Sequence, residues 1–378
     1  VKYFLSGGLL NQEGIFYNSA MNFDQQNVRS NIDIKLSDYM NVKADLSGTF
    51  GNRTNPRFPE VNRIFWQVYR TYPWYPDKYS NGKYYIGQDQ GWNPAYMGSD
   101  RAGKSERQDN RYNSRFTYEI SNPWIEGLSI DGYFAYDITS RVYSALDKPW
   151  YGYQYDVSVD SVVRMINPMR NSTSVSESRR NTHSWTYTAK LNYEKSFGNH
   201  NLKAFAAIEK SKYFGEEIGA GRDNYISSNL PYLNFGDQST STNSGSAWQG
   251  ARLNYLGRIS YNYNFKYLLD FNIRRDGSTI FPPGKRFGTF PGLSVAWRMS
   301  EESFIENNAP FIDNLKLKAS WGILGRDDVA PFQYLTSYSL TTGYYDFAFY
   351  SDHQKIEAYY PNVLPNPNIT WEEAETWN

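Results

Sequence analysis

Between Ala251 and Gly322 the side chains alternate in character residue by residue, three or four times at close spacing. Tyr267, Leu269, Phe271 and Ile273 fall on one face, and Leu268, Asp270, Asn272 and Arg274 on the other. A period of two is a strand, and it gives the strand two different environments. Leu253, Tyr255, Gly257, Ile259 and Tyr261 repeat the pattern upstream, and Leu315, Leu317, Ala319 and Trp321 repeat it downstream. The polar face is ionic, with Arg252, Arg258, Asp270, Lys316 and Lys318 among its members. Two architectures accept such strands. A soluble β-sandwich turns the apolar face to a second sheet, whereas a membrane barrel turns it to lipid and the ionic face to a wet lumen.

Linker lengths separate the two. Strand signals stand at about 1–9, 27–36, 41–50, 111–120, 127–139, 184–195, 201–212, 250–263, 266–275, 287–299 and 314–323. Every second connection is a tight turn, as at 37–39, 121–126, 196–200 and 264–265. The others are long: about 10–26, 51–110, 140–183, 213–249 and 324–365. Hairpins with short turns at one end and long loops at the other describe an outer-membrane barrel, with the long loops outside. The expected fold is therefore all-β, an antiparallel transmembrane barrel of about 11 strands filling residues 1–378. An apolar band of roughly 25 Å needs about 9–11 tilted residues per strand. Val42, Ala44, Leu46, Gly48 and Phe50 are expected to face lipid, opposite Lys43, Asp45, Ser47 and Thr49. Eleven strands do not close an even-numbered barrel, and the first residues already read as strand. The chain is therefore expected to be an internal piece of a longer protein.

Composition agrees with a membrane wall. Aromatic residues make up 18% of the chain, with 34 Tyr and 11 Trp suited to interfacial girdles and to ligand stacking. Lys plus Arg equals Asp plus Glu at 39 each, so no overall field favours nucleic acid. There is no cysteine, which removes disulfides and thiolate metal sites. No long apolar run provides a transmembrane helix, which a barrel does not need.

No catalytic constellation is visible, and no cofactor is expected. His183, His200 and His353 stand far apart without metal-ligand spacing. Glu301/Glu302 and Glu372/Glu373 are chain neighbours, unlike carboxylates that face each other across a glycosidic bond. The aromatic loops are the functional candidates. A sugar offers apolar C–H faces and a rim of hydroxyls, so its site combines aromatic platforms with amide and carboxylate partners. Trp66, Trp74, Tyr75 and Trp92 lie beside Asp77, Asn81, Gln88, Asp89 and Asn93. A second cluster holds Trp150, Tyr151, Tyr153 and Tyr155 with Gln154 and Asp156. Asn62 to Thr71 reads as a short helix with Ile64, Phe65, Val68 and Tyr69 on one face, and Asp237 to Gly245 as a mobile polar loop.

Several short motifs, in order, resemble the SusC/RagA group of TonB-linked outer-membrane transporters. They include Tyr3-Phe4-Leu5-Ser6-Gly7-Gly8, Lys148-Pro149-Trp150, Arg275-Asp276-Gly277-Ser278, Leu315-Lys316-Leu317-Lys318-Ala319-Ser320-Trp321-Gly322 and Asn366-Pro367-Asn368-Ile369-Thr370-Trp371-Glu372. The resemblance implies a 22-stranded barrel in the outer membrane, an N-terminal plug and TonB-contacting segment absent from this sequence, and a SusD-like surface lipoprotein as a lid. It also implies TonB-driven import, with oligosaccharides as the first expectation. Peptides, or siderophore or cobalamin complexes, are the alternative cargo for the same barrel. A secreted, soluble glycan-binding β-sandwich is the alternative from another class.

Overall fold

A computed structural model describes residues 1–15, 20–57, 61–86, 93–166, 171–309, 311–340 and 359–378. Its strands in chain order are β1 (Lys2–Glu13), β2 (Asn22–Ser37), β3 (Met40–Pro56), β4 (Gly103–Ser121), β5 (Leu128–Asp147), β6 (Tyr151–Asp156), β7 (Ser161–Ile166) and β8 (Ser174–Phe197). They continue with β9 (His200–Arg222), β10 (Thr242–Tyr263), β11 (Tyr267–Ser278), β12 (Phe287–Arg298), β13 (Lys316–Arg326), β14 (Ser337–Leu340), β15 (Tyr359–Val363) and β16 (Glu372–Trp377). Helices α1 (Val61–Arg70), α2 (Pro94–Met97) and α3 (Ser303–Asn308) lie in connections.

Twelve strands form one antiparallel sheet in the order β1-β2-β3-β4-β5-β8-β9-β10-β11-β12-β13-β16. Chain neighbours pair throughout, apart from two small separate hairpins, β6–β7 and β14–β15. The sheet has one strand more than the sequence signals. The additional strand, β16, pairs with β13 from Trp321↔Trp377 to Arg326↔Glu372. Its Glu-Glu-Ala-Glu-Thr-Trp sequence has no apolar alternation, so backbone pairing alone reveals it.

The strands also outrun the membrane. β8, β9 and β10 are 24, 23 and 22 residues long, about twice what crossing requires. The expected loops at about 10–26, 51–110, 140–183 and 213–249 therefore shrink to connections of 14–21, 57–102, 148–173 and 223–241, while the one expected at 324–365 runs over 327–371 to reach β16. Apolar alternation stops where a strand leaves lipid, while backbone pairing continues into water with polar side chains. The segment 242–245, expected within a mobile loop, is paired strand with Thr242 opposite Gly221. Gly215 shows why one strand carries glycine here: a Cβ on it would lie 2.2 Å from the Trp248 ring that crosses it.

Register holds one face ionic and the other apolar across the sheet. Lys43 and Glu119 pair at 2.6 Å, Arg107 and Arg141 both hold Asp109, and Arg258 grips Asp270 at 2.6 Å. Leu191, Ile259, Phe271, Leu293 and Val295 remain on the other face, exposed or half-exposed as lipid-facing residues must be in a barrel wall. The tight turns follow local chemistry. Between β10 and β11, Asn264 and Phe265 both adopt positive φ, 51° and 54°, in a turn closed by the Lys266 N–H donating to Tyr263 O at 2.9 Å.

Candidate ligand platform

The connection between β3 and β4 folds over the end of the sheet as a small structured unit. Proline at the first position of α2 and Asn93 at its N-cap start that helix, and the Asn93 Oδ1 accepts from the Tyr96 N–H at 3.0 Å. The Asn93 amide also donates to the backbone oxygens of Asp77 and Tyr85 at 2.8 and 2.9 Å. Ile64, Tyr84, Tyr96, Met97, Ala102 and Trp150 form the core of the unit. Its base is tied to the sheet by Arg57, whose Nε lies 2.9 Å from Asp147 Oδ1 in an ionic contact.

The β5–β8 connection joins this unit edge to edge. Tyr85 bridges Tyr153 in parallel, the Ile86 N–H donates to Tyr153 O at 2.9 Å, and the Tyr153 N–H donates to Tyr84 O at 2.8 Å. Gly152 permits the approach, because a Cβ there would sit 1.8 Å from Ile86 Cγ1. Two aromatic clusters far apart in sequence thus become one platform.

On that platform lies a run of rings. Tyr72 and Trp74 stack with centroids 4.8 Å apart and planes 8° apart, and Tyr75 continues the run to Tyr85 at 4.8 Å. Tyr79 meets Tyr85 edge-on at 5.8 Å. Trp74 is 70% exposed, so a ring face is open to solvent. Burial, reinforced by a hydrogen bond with Tyr75, pushes the Tyr85 hydroxyl up to about 12. Burial likewise pushes Tyr96 up to about 12, despite the opposing charge of Arg101. Both remain neutral hydroxyl groups at physiological pH.

The predicted site residues separate by burial. Trp150 is only 1% exposed and stacks on Tyr96 at 4.9 Å, and Asn93 is 4% exposed. Both are structural: Trp150 fills the core of the unit and Asn93 spends its polar groups on a helix cap and two carbonyls. Tyr151 has the Arg164 guanidinium 3.4 Å from its ring centroid, and Tyr153 has Lys83 Nζ at 4.8 Å. Trp66, on α1, is half-exposed with Arg70 at 4.1 Å over its ring. Asp156 is bound up in a turn with Ser158, which holds its carboxyl below the usual range. In α1 the buried pair is Ile64 and Gln67, while Phe65, Val68 and Tyr69 are exposed, a correction to the apolar face read from spacing. Trp92, Gln88, Asp89 and His353 lie outside the described residues. Tyr72 is the platform residue that sequence reasoning missed, although the Tyr-Pro-Trp-Tyr density at 72–75 carried a signal.

No family model matches the chain. Among curated proteins, TonB-dependent receptor P3 of Formosa agariphila is 24% identical over 99% of the chain and 36% of its own length. TonB-dependent receptor SusC of Bacteroides thetaiotaomicron is 30% identical over 51% of the chain and 18% of its own length. Among solved structures, the RagAB peptide importer in its closed-closed state has a TM-score of 0.73 at 20% identity, over 99% of this chain and 40% of that one. The chain is similar in sequence to TonB-dependent receptors of the SusC type, and it shares the fold of the RagAB importer. It spans 36% or less of the length of the curated relatives named above. The twelve-stranded sheet is outer-membrane barrel wall, and the platform stands at the end that carries the long connections.

Proposed function

We propose that this wall serves TonB-driven import of an oligosaccharide, and that the exposed ring run around Trp74 is where the sugar first stacks. The observation that carries the reading is the Tyr72–Trp74 stack, solvent-open on an otherwise packed loop unit. An open aromatic face, in a loop whose Asp77 and Asn81 are also exposed, offers a sugar ring an apolar floor and hydrogen-bonding partners. In this reading a SusD-like lipoprotein closes over the platform, and TonB acts on a segment outside the sequence. RagAB carries peptides, and the fold it shares does not choose between cargoes.

The test is calorimetric titration of the full-length receptor with its lid lipoprotein, in detergent, against panels of oligosaccharides and of peptides. An oligosaccharide is expected to bind, and Trp74→Ala to weaken it about five- to tenfold, the size of one aromatic contact. Binding of peptides alone would retain the barrel and reject the sugar.

A further inference from the structure

Toward the long connections, the apolar face of the sheet carries three cations, with Phe214 and Ile218 farther out on the same face of β9. Lys210 lies opposite Tyr187 and Leu253, Lys212 opposite Trp185 and Ala251, and Arg275 opposite Tyr255 and Thr289. By the two-residue period, Lys210 and Lys212 share a face with Ile208, and Arg275 with Ile273. All three are exposed.

Several cations on the ionic face are held by carboxylates. There, Arg141 holds Asp109, Arg180 holds Glu217 and Arg258 holds Asp270. Lys210 and Arg275 instead lie over rings, 5.9 Å from the Trp185 centroid and 5.2 Å from that of Phe287. Among the described residues no ion pair includes Lys210, Lys212 or Arg275. Glu216 shares their face, but farther along β9 from the apolar band. The chain has a net charge of +0, so this rim is a local feature and not a sample of a basic surface.

We propose that the rim formed by Lys210, Lys212 and Arg275 binds the phosphorylated headgroup of an outer-leaflet lipid. The apolar wall directly below accepts the acyl chains, and Trp185 and Tyr187 mark the depth at which hydrocarbon gives way to headgroup. Residues two apart on a strand are separated by about 7 Å and strands two apart by about 10 Å. The three cations therefore span a headgroup bearing more than one phosphate. Cations at a headgroup level that no carboxylate holds attract anionic lipid, whereas pairing with carboxylates on the same face would cancel that attraction.

The full-length receptor in detergent is titrated with diphosphorylated lipid A and with its dephosphorylated form, and bound lipid is counted by native mass spectrometry. The unaltered receptor is expected to prefer the phosphorylated form, and to lose that preference as salt is raised. Lys210→Ala, Lys212→Ala and Arg275→Ala together are expected to weaken binding about a hundredfold, roughly fivefold per cation. Lys210→Arg, Lys212→Arg and Arg275→Lys together should retain it. Equal affinity of the unaltered receptor for the two lipids would overturn the proposal without reference to any variant. So would a folded triple-alanine variant that binds as before, or displacement of the lipid by inorganic phosphate at equal concentration.

Discussion

Trp150 and Trp74 began as equals in the sequence, both tryptophans in aromatic loops with amides and carboxylates nearby. Their environments are opposite. Trp150 is core, enclosed by Tyr96 and the α2 region, whereas Trp74 projects from the platform. Composition cannot distinguish them, because a small loop core and a sugar site draw on the same residue types. What distinguishes them is the pairing of Tyr85 with Tyr153, which no local pattern announces. Trp150→Ala is expected to cost roughly 3–5 kcal/mol of local stability through the cavity it leaves. Hydrogen exchange at residues 84–86 and 93–102 would register it as lost protection. Trp74→Ala should change the same protection by less than about 1 kcal/mol, as expected at an exposed position. Equal losses for the two would refute the division into core and platform.

At the scale of elements, the alternating strands were legible and their ends were not. β11 and β12 were placed to within a few residues because lipid on one side and a wet lumen on the other impose a period of two. Beyond the apolar band that contrast disappears, so the upper halves of β9 and β10 read as loop, although Gly215 pairs with Trp248 there. Polar β16 was hidden for the same reason. The turn between β12 and β13 illustrates chemistry the pattern also missed. Glu302, set aside in the sequence as a mere chain neighbour of Glu301, accepts from Tyr267 Oη at 2.6 Å, Trp297 Nε1 at 3.0 Å and Lys266 Nζ at 3.2 Å. Those contacts, Tyr267 first, hold its carboxyl below the ordinary value of 4.5. A depressed carboxylate stabilises the fold above its unfolded value, and that contribution is lost as pH falls through the folded one. Backbone protection of residues 299–308 should therefore decline on acidification below about pH 4.5. Glu302→Gln should remove this pH dependence. An unchanged acid profile in that variant would assign the effect to other groups.

For the whole molecule, the sheet is open: β1 and β16 are its edges. Unpaired backbone groups in hydrocarbon are costly, so in the membrane both edges require further strands. The chain covers 36% of TonB-dependent receptor P3 and 40% of the RagAB chain, which is consistent with such strands lying elsewhere in a longer protein. The ionic face is largely self-neutralised by pairs such as Lys43–Glu119 and Arg258–Asp270, which lets charged side chains line a lumen without a strong net field. The account rests on these two faces being lipid and water. This chain contributes no cysteine, so once any cysteines elsewhere in the full-length receptor are replaced, single cysteines can be placed along β11 without background. Leu268→Cys through Ile273→Cys, spin-labelled one at a time in the full-length receptor in bilayers, would be probed with oxygen and with a water-soluble nickel complex. The account predicts oxygen accessibility at 269, 271 and 273 and its loss at 268, 270 and 272. Accessibility without a period of two, or nickel reaching 269, 271 and 273, would contradict it.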